Sequence, residues 1–284
     1  MTDLSPLAAQ PGPASLPYTD PVFPDRCLVL HAARPAVWTP DMPVVLVHHG
    51  VARNRRDYRD YWLPHVDAGG FLAIAIEFPQ DSFPEYLWYN FGNLHAEDGT
   101  PNPRAQWTFG IGPRLFDALR TQGITRAPRY GLFGHSAGGQ YVHRMLSFGY
   151  REHVAIAVGA NAGTYAMPDL AIDWPWGLGA VGLAEADLPA LLNIPLTIMA
   201  GTEDTKTKGR FFPKGPNSMR QGPHRYGRAH SYHQAGLALA ARLGVPCRWR
   251  LLDVPGVGHD GRRMSDAAAP VIAAALRTDG LHGA

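Results

Sequence analysis

The sequence predicts an α/β fold: a mostly parallel central sheet with helices on both faces and loop insertions over one edge. Three observations predict it. Apolar runs of strand length alternate with stretches of helical periodicity along most of the chain. Two of those runs, residues 44–49 (VVLVHH) and 71–78 (FLAIAIEF), are continuous rather than alternating, as strands covered on both faces are. A third run, YGLF at 130–133, leads directly into GHSAGG and then a helical pattern, a strand–turn–helix junction.

The elements follow in order. Residues 1–26, rich in Pro and Ala, read as an irregular arm, and residues 27–284 as a single domain. Residues 27–31 are a short strand, 44–49 a buried strand, 58–67 a helix and 71–78 the next strand. Residues 104–121 carry a helical stripe at Trp107, Ile111, Leu115 and Leu119. After the strand at 130–133 come a helix at 140–148 and strands at 154–158 and 196–200. The helix at 229–243, the strand at 248–254 and the helix at 265–277 close the chain. Ligands of such sheets bind beyond the carboxyl ends of the strands, so the loops after the strands are where chemistry is expected.

Bulk numbers narrow the function class. The 284 residues are enough for one large domain, and 45% hydrophobic with 18% charged residues suits a globular chain. A net charge of +2 is too small to mark a nucleic-acid binder. The two cysteines, Cys27 and Cys247, read as buried free thiols rather than a disulfide framework. The N-terminus lacks a basic region followed by an apolar core, and no apolar run approaches the roughly 20 residues of a membrane span. A cytoplasmic protein with no membrane partner is the simplest expectation.

Gly134-His135-Ser136-Ala137-Gly138 fits G-x-S-x-G in the strand-to-helix context that exposes a nucleophilic serine. A serine hydroxyl needs an adjacent base. Among 13 histidines, His259 stands directly after the last strand and before the last helix, where the chain order Ser…Asp…His puts it. His48, His49 and His135 are competitors. The acid that holds the histidine is expected after the strand PLTIMA, at Asp204, with Glu203 as a rival and Asp260 adjacent to the base in sequence. Oxyanion donors are expected from the backbone of Ala137, after the nucleophile, and of Val51, in the His48-His49-Gly50-Val51 turn.

The segments HHGVARNRRDYRDYW, GHSAGGQYVHRML, GTEDT and GVGHD resemble the α/β-hydrolases known as poly(3-hydroxybutyrate) depolymerase-like or feruloyl-esterase-like esterases, over roughly residues 40–275. The resemblance implies the α/β-hydrolase fold, a triad at Ser136, Asp204 and His259, and an oxyanion loop at Val51. It implies a carboxylic-ester hydrolase acting on a small-molecule ester through an acyl-enzyme, with no metal and no cofactor. A peptidase or thioesterase on the same triad is the near alternative. A non-catalytic binding protein on this fold is the distant one.

Two long loops, 81–103 and 163–193, are expected as lid-like insertions. Their aromatics, including Trp88, Tyr89, Trp174 and Trp176, either line an acyl pocket or form the loops' own core. From Thr205 to Leu252 there is no Asp or Glu, while seven Lys and Arg lie between Lys206 and Arg228. That stretch is either a solvated surface or a reader of a substrate carboxylate, with Arg220 and Arg225 as its candidate contacts.

Overall fold

Eight strands build the frame: β1 (Gly12–Thr19), β2 (Cys27–Arg34), β3 (Val44–His48), β4 (Leu72–Glu77), β5 (Tyr130–His135), β6 (Val154–Ala160), β7 (Leu196–Gly201) and β8 (Arg250–Val254). The computed structural model describes residues 2–281. One sheet carries the order β1-β2-β4-β3-β5-β6-β7-β8. β1 and β2 are antiparallel to their neighbours, and the pairs from β4 through β8 are parallel.

The helices are α1 (Pro6–Ala9), α2 (Arg55–Trp62), α3 (Val66–Gly69), α4 (Ile111–Thr121), α5 (Ala137–Ser147), α6 (Leu188–Leu192), α7 (Pro216–Arg220), α8 (Arg225–Leu243) and α9 (Gly261–Leu281). The predicted helix at 58–67 divides into α2, a 3-10 turn and α3, because Pro64 cannot continue the backbone ladder.

Side chains alternate across the strands and feed two cores. In β3, Val44 and Leu46 join Leu115 of α4, Tyr141 of α5 and Tyr232 of α8 on one face. Val45 and Val47 join Tyr58 and Trp62 of α2, and Met264 and Ile272 of α9, on the other. Every residue of β3, β4, β5 and β7 is buried, which is why their sequences read as unbroken apolar runs.

Two expectations are corrected. Residues 1–26 are not an irregular arm, since residues 12–19 form the edge strand β1, paired with β2 along its length. Pro13 and Pro17 share one side of that strand, where an edge needs no donor, so the prolines that suggested irregularity are compatible with pairing. The segment is also anchored: buried His31 links Ser15 (2.7 Å) to Glu77 (2.8 Å), and buried Asp20 accepts from Arg114 of α4 at 2.9 Å. The cysteines are free but not buried, Cys27 being exposed at the mouth of β2 and Cys247 half-buried in the turn before β8.

Candidate active site

The turn from β5 into α5 holds Ser136 at φ 58°, ψ −114°. That conformation is costly for a residue with a side chain and persists only where the surroundings impose it. Here they do. A Cβ at Gly134 would stand 2.1 Å from the Gly138 carbonyl oxygen, and one at Gly138 would stand 2.2 Å from that of His48. Both positions must be glycine for the elbow to close against β3. Ser136 thereby sits at the N-cap of α5, where the helix dipole favours negative charge.

The neighbouring strand ends bring two more side chains to it. His259, between β8 and α9, places Nε2 2.9 Å from Ser136 Oγ. Its Nδ1 lies 2.7 Å from Asp204 Oδ2, in the turn after β7. A carboxylate only accepts, so Nδ1 carries the hydrogen and Nε2 is left to accept from the serine hydroxyl. The Asp204 side chain is fully buried, and its other oxygen faces the Arg225 guanidinium at 3.6 Å. The rivals are elsewhere: Glu203 is exposed, and Asp260 accepts the backbone N–H groups of Arg262 and Arg263.

The competing histidines have structural partners. His48 is fully buried and stacked on Tyr141 at 4.1 Å, and burial, then its neighbour His49, pulls its pKa down to about 3. His49 donates through Nδ1 to the Gly50 carbonyl and accepts the Phe78 N–H at Nε2. His135 lies behind His259, ring to ring at 4.8 Å, and bonds Tyr58 Oη through Nδ1 at 2.8 Å. Burial, then His259 and Arg225, holds it well below the usual histidine range.

The turn after β3 runs beside the serine: a Cβ on Gly50 would lie 3.8 Å from that of Ser136. It is pinned by Arg53, which donates to the carbonyls of Phe78 and Glu85, and by the Tyr89 hydroxyl, which donates to the His49 carbonyl at 2.7 Å. Val51 is exposed and Ala137 buried.

A cavity of about 370 Å³ opens over Ser136 and His259. Its lining includes Val51, Tyr58 and Tyr61 and, after Asp204, Lys206, Lys208 and residues 209–212. Here the substrate-contact expectations are corrected. None of Trp88, Tyr89, Trp174 and Trp176 lines this cavity. Trp88 packs on Phe23 and under the Arg26 guanidinium; Tyr89 is buried against His49 and Tyr141. Trp174 packs on Phe91 and Phe148, and Trp176 reaches Ser218. Aromatic rings in loops 81–103 and 163–193 satisfy one another, so these segments are a packed layer rather than pocket walls. Arg220 is exposed on α7 and bonded to Asn217, away from the cavity, because α7 carries it outward. Arg225 does line the cavity; its Nη1 lies 3.6 Å from Asp204 Oδ1, its Nη2 donates to the Phe211 carbonyl, and its Nε has no hydrogen-bond partner among the described residues.

Three residues of the site escaped sequence reasoning in these roles. Tyr58 braces His135 and fills the space beside Gly50 and Gly261; its place at the end of the HGVARNRRDY segment was the available signal. Asn161, at φ 47° after β6, accepts the Gly201 N–H at 2.8 Å and donates to the Gly258 carbonyl at 2.9 Å. It thus ties the turn carrying Asp204 to the turn carrying His259. A lone polar residue after an apolar strand does not name such partners. Arg225 was expected as a substrate contact, not as a partner of the acid. Among the described residues no cluster of His, Cys, Asp and Glu could hold a metal ion, and no helix is long and apolar enough to cross a membrane.

The sheet order, the serine elbow and the helices on both faces define an α/β-hydrolase. No family model and no curated protein matches the chain. Solved structures do. The chain is similar to the poly(3-hydroxybutyrate) depolymerase LpqC from Bordetella parapertussis, at 40% identity and TM-score 0.88, over 93% of this chain and 89% of that one. It is similar to poly(aspartic acid) hydrolase-1 from Sphingomonas sp. KT-1, at 35% identity and TM-score 0.88, over 93% and 99%. A likeness of fold alone extends to the fluorophosphonate-binding serine hydrolase FphF of Staphylococcus aureus, at 16% identity and TM-score 0.60, over 94% and 99%. The chain belongs to the poly(3-hydroxybutyrate) depolymerase-like family of α/β-hydrolases, and it is a hydrolase.

Proposed function

We propose that this protein cleaves carboxylic esters through an acyl-enzyme, with Ser136 as nucleophile, His259 as base and Asp204 as the acid that orients it. The observation that carries the reading is the continuous hydrogen-bonded line from Ser136 Oγ through His259 to Asp204, at 2.9 Å and 2.7 Å. Ser136 Oγ attacks the ester carbonyl while His259 Nε2 takes its proton. The backbone N–H groups of Ala137 and Val51 receive the oxyanion, and the α5 terminus adds its dipole. His259 then gives the proton to the departing alcohol, and water, activated by the same imidazole, frees the acid. Asp204 keeps the hydrogen on Nδ1 and stabilises the imidazolium, and Arg225 and Asn161 hold Asp204 and the two turns in place.

The test is turnover of p-nitrophenyl esters of increasing chain length by the wild type and by Ser136→Ala. The substitution should leave only the residual rate of binding and oxyanion contacts, on the order of 10³-fold or more below wild type. Near wild-type turnover would sink the assignment. The likeness to a poly(aspartic acid) hydrolase favours a second reading, cleavage of an amide link by the same three side chains. Parallel assays on an ester and its amide analogue separate the two.

A further inference from the structure

The segment that follows Asp204 supplies part of the lining of the cavity. Lys206, Lys208 and Arg210 all line it, at two-residue intervals, together with Phe211 and Phe212. All three cations are exposed, and among the described residues none has a carboxylate within ion-pair distance. Three of the neighbouring acids are engaged elsewhere, and Glu203 is exposed with no ion pair among the described residues. Asp204 is taken by His259 and Arg225, Asp260 by two backbone N–H groups, and Asp57 by Asn54. No acidic residue occurs in sequence between Asp204 and Asp253 to neutralise the stretch.

Three uncompensated cations facing a cavity beside a nucleophile raise the local concentration of anions there. Their arrangement tells what kind of anion. A single phosphoryl group is held by donors converging on one point, as at a nest of backbone amides. Here the charges sit on alternate residues, which in open chain are about 6–7 Å apart. That spacing suits several separate negative groups along an extended substrate. Phe211, exposed beside Arg210, and Phe212 add apolar surface to the same lining.

We propose that residues 206–210 form a subsite for a substrate bearing free carboxylates near the scissile bond, an oligomeric polycarboxylate, with Lys206, Lys208 and Arg210 as the reading side chains. This rests on the placement of the reaction at Ser136. Lys serves here as a mobile point charge, and Arg210 adds a planar fork that pairs with a carboxylate through two bonds. Arg220 does not line the cavity, and Arg225 is held against Asp204 at 3.6 Å.

Two measurements test it. The first is the ratio of kcat/KM for p-nitrophenyl hemisuccinate over p-nitrophenyl butyrate, esters of equal chain length that differ by one carboxylate. Wild type should prefer the anionic ester by about tenfold, the scale of a few partly exposed ion pairs acting together. The combined substitution Lys206→Gln, Lys208→Gln, Arg210→Gln should bring the ratio to about one. The charge-preserving set Lys206→Arg, Lys208→Arg, Arg210→Lys should keep it. The preference should shrink as salt rises from about 0.1 M to 1 M and the screening length falls from about 10 Å to 3 Å. The second is calorimetric titration of the Ser136→Ala protein with a tetra-aspartate peptide, with and without the neutralising set. Binding lost on neutralisation supports the subsite, and it does so whether or not Ser136 is the nucleophile. A wild-type ratio near one or below, a ratio unmoved by neutralisation, or a peptide bound equally or not at all overturns it. If neither ester is turned over, the ester reading fails and the titration alone decides the subsite.

Discussion

Two kinds of loop leave the carboxyl edge of this sheet, and they differ in what they do with their polar and aromatic groups. Loops 81–103 and 163–193 close on themselves. Arg144 of α5, fully buried, donates to the Asn90 carbonyl of the first and the Pro175 carbonyl of the second, with its guanidinium over Phe91 and Trp174. Asn90 in turn donates to Gln140, and Gln140 to Thr164. The segment 201–212 does the opposite. Its Asp204 is buried against His259, and its lysines and Arg210 line the cavity, exposed and, among the described residues, with no carboxylate within ion-pair distance. The difference teaches that aromatic content in a loop reports self-packing, whereas uncompensated charge beside a strand end reports a surface left open to a ligand. The aromatic loops are scaffold, and the segment after Asp204 contributes to the lining of the cavity.

Substitutions should therefore separate cleanly, with activity lost in one region and stability in the other. The largest effect belongs to Asp204→Asn, which leaves the wrong tautomer on His259 and should lower kcat by on the order of 10⁴, while Glu203→Gln changes it little. Steady-state kinetics of the two variants decide this, and the reverse ranking would move the acid to Glu203. Next is Asn161→Ala, which unties the two turns. Misplacement of a reacting group by about 1 Å costs up to about 10² in rate, so kcat should fall by about 10- to 100-fold with KM nearly unchanged. Asn161→Asp, which keeps the acceptor for Gly201 and loses the donor to Gly258, should fall between.

In the aromatic loops the sign of the comparison reverses. Trp174→Ala removes a half-buried ring packed on Phe91 and Phe148, and should cost about 2 kcal/mol of stability in urea titration, below the range for fully buried rings. Its kcat/KM for short esters should stay within about twofold of wild type, since the ring does not reach the cavity. A large kinetic loss with unchanged stability would make these loops substrate walls after all.

Acid should also act on the scaffold first. His143 is fully buried, accepts the Ala166 N–H of the second loop at Nε2, and is held by burial, then by Arg144, well below the usual histidine range. With His48 and His135 it stays neutral in the fold, whereas the unfolded chain takes up protons below about pH 6.5. The stability these groups contribute is full above that pH and is lost as pH falls, by up to about 1.4 kcal/mol per pH unit for each histidine. Urea midpoints at pH 7 and pH 5 check the slope. His48→Phe, which preserves the stack on Tyr141 and removes the proton site, should flatten it.

What was legible in the sequence was what rests on local pattern. The unbroken run of β3 announces a strand with both faces covered. The glycines around Ser136 announce a turn where neighbouring backbone passes closely, and the place of His259 after the last strand announces a histidine within reach of that turn. What was not legible depends on which neighbour a side chain meets. Pro13 and Pro17 look like coil until the strand is seen to lie at an edge. Trp88 and Trp174 carry the same composition whether they line a pocket or fill a core, and only Phe23, Arg26 and Arg144 decide between them. Arg225 reads as a free cation until the first turn of α8 sets it against Asp204. Asn161 has no pattern, because its partners lie 40 and 97 residues away.

The central claim, that the hydroxyl of Ser136 is the group His259 and Asp204 activate, is tested most directly by mass spectrometry of the protein after treatment with a fluorophosphonate. The account predicts one adduct, on the peptide containing Ser136, formed by wild type, strongly slowed in His259→Ala and absent from Ser136→Ala. An adduct on another residue, or labelling of wild type and Ser136→Ala at the same rate, would contradict it.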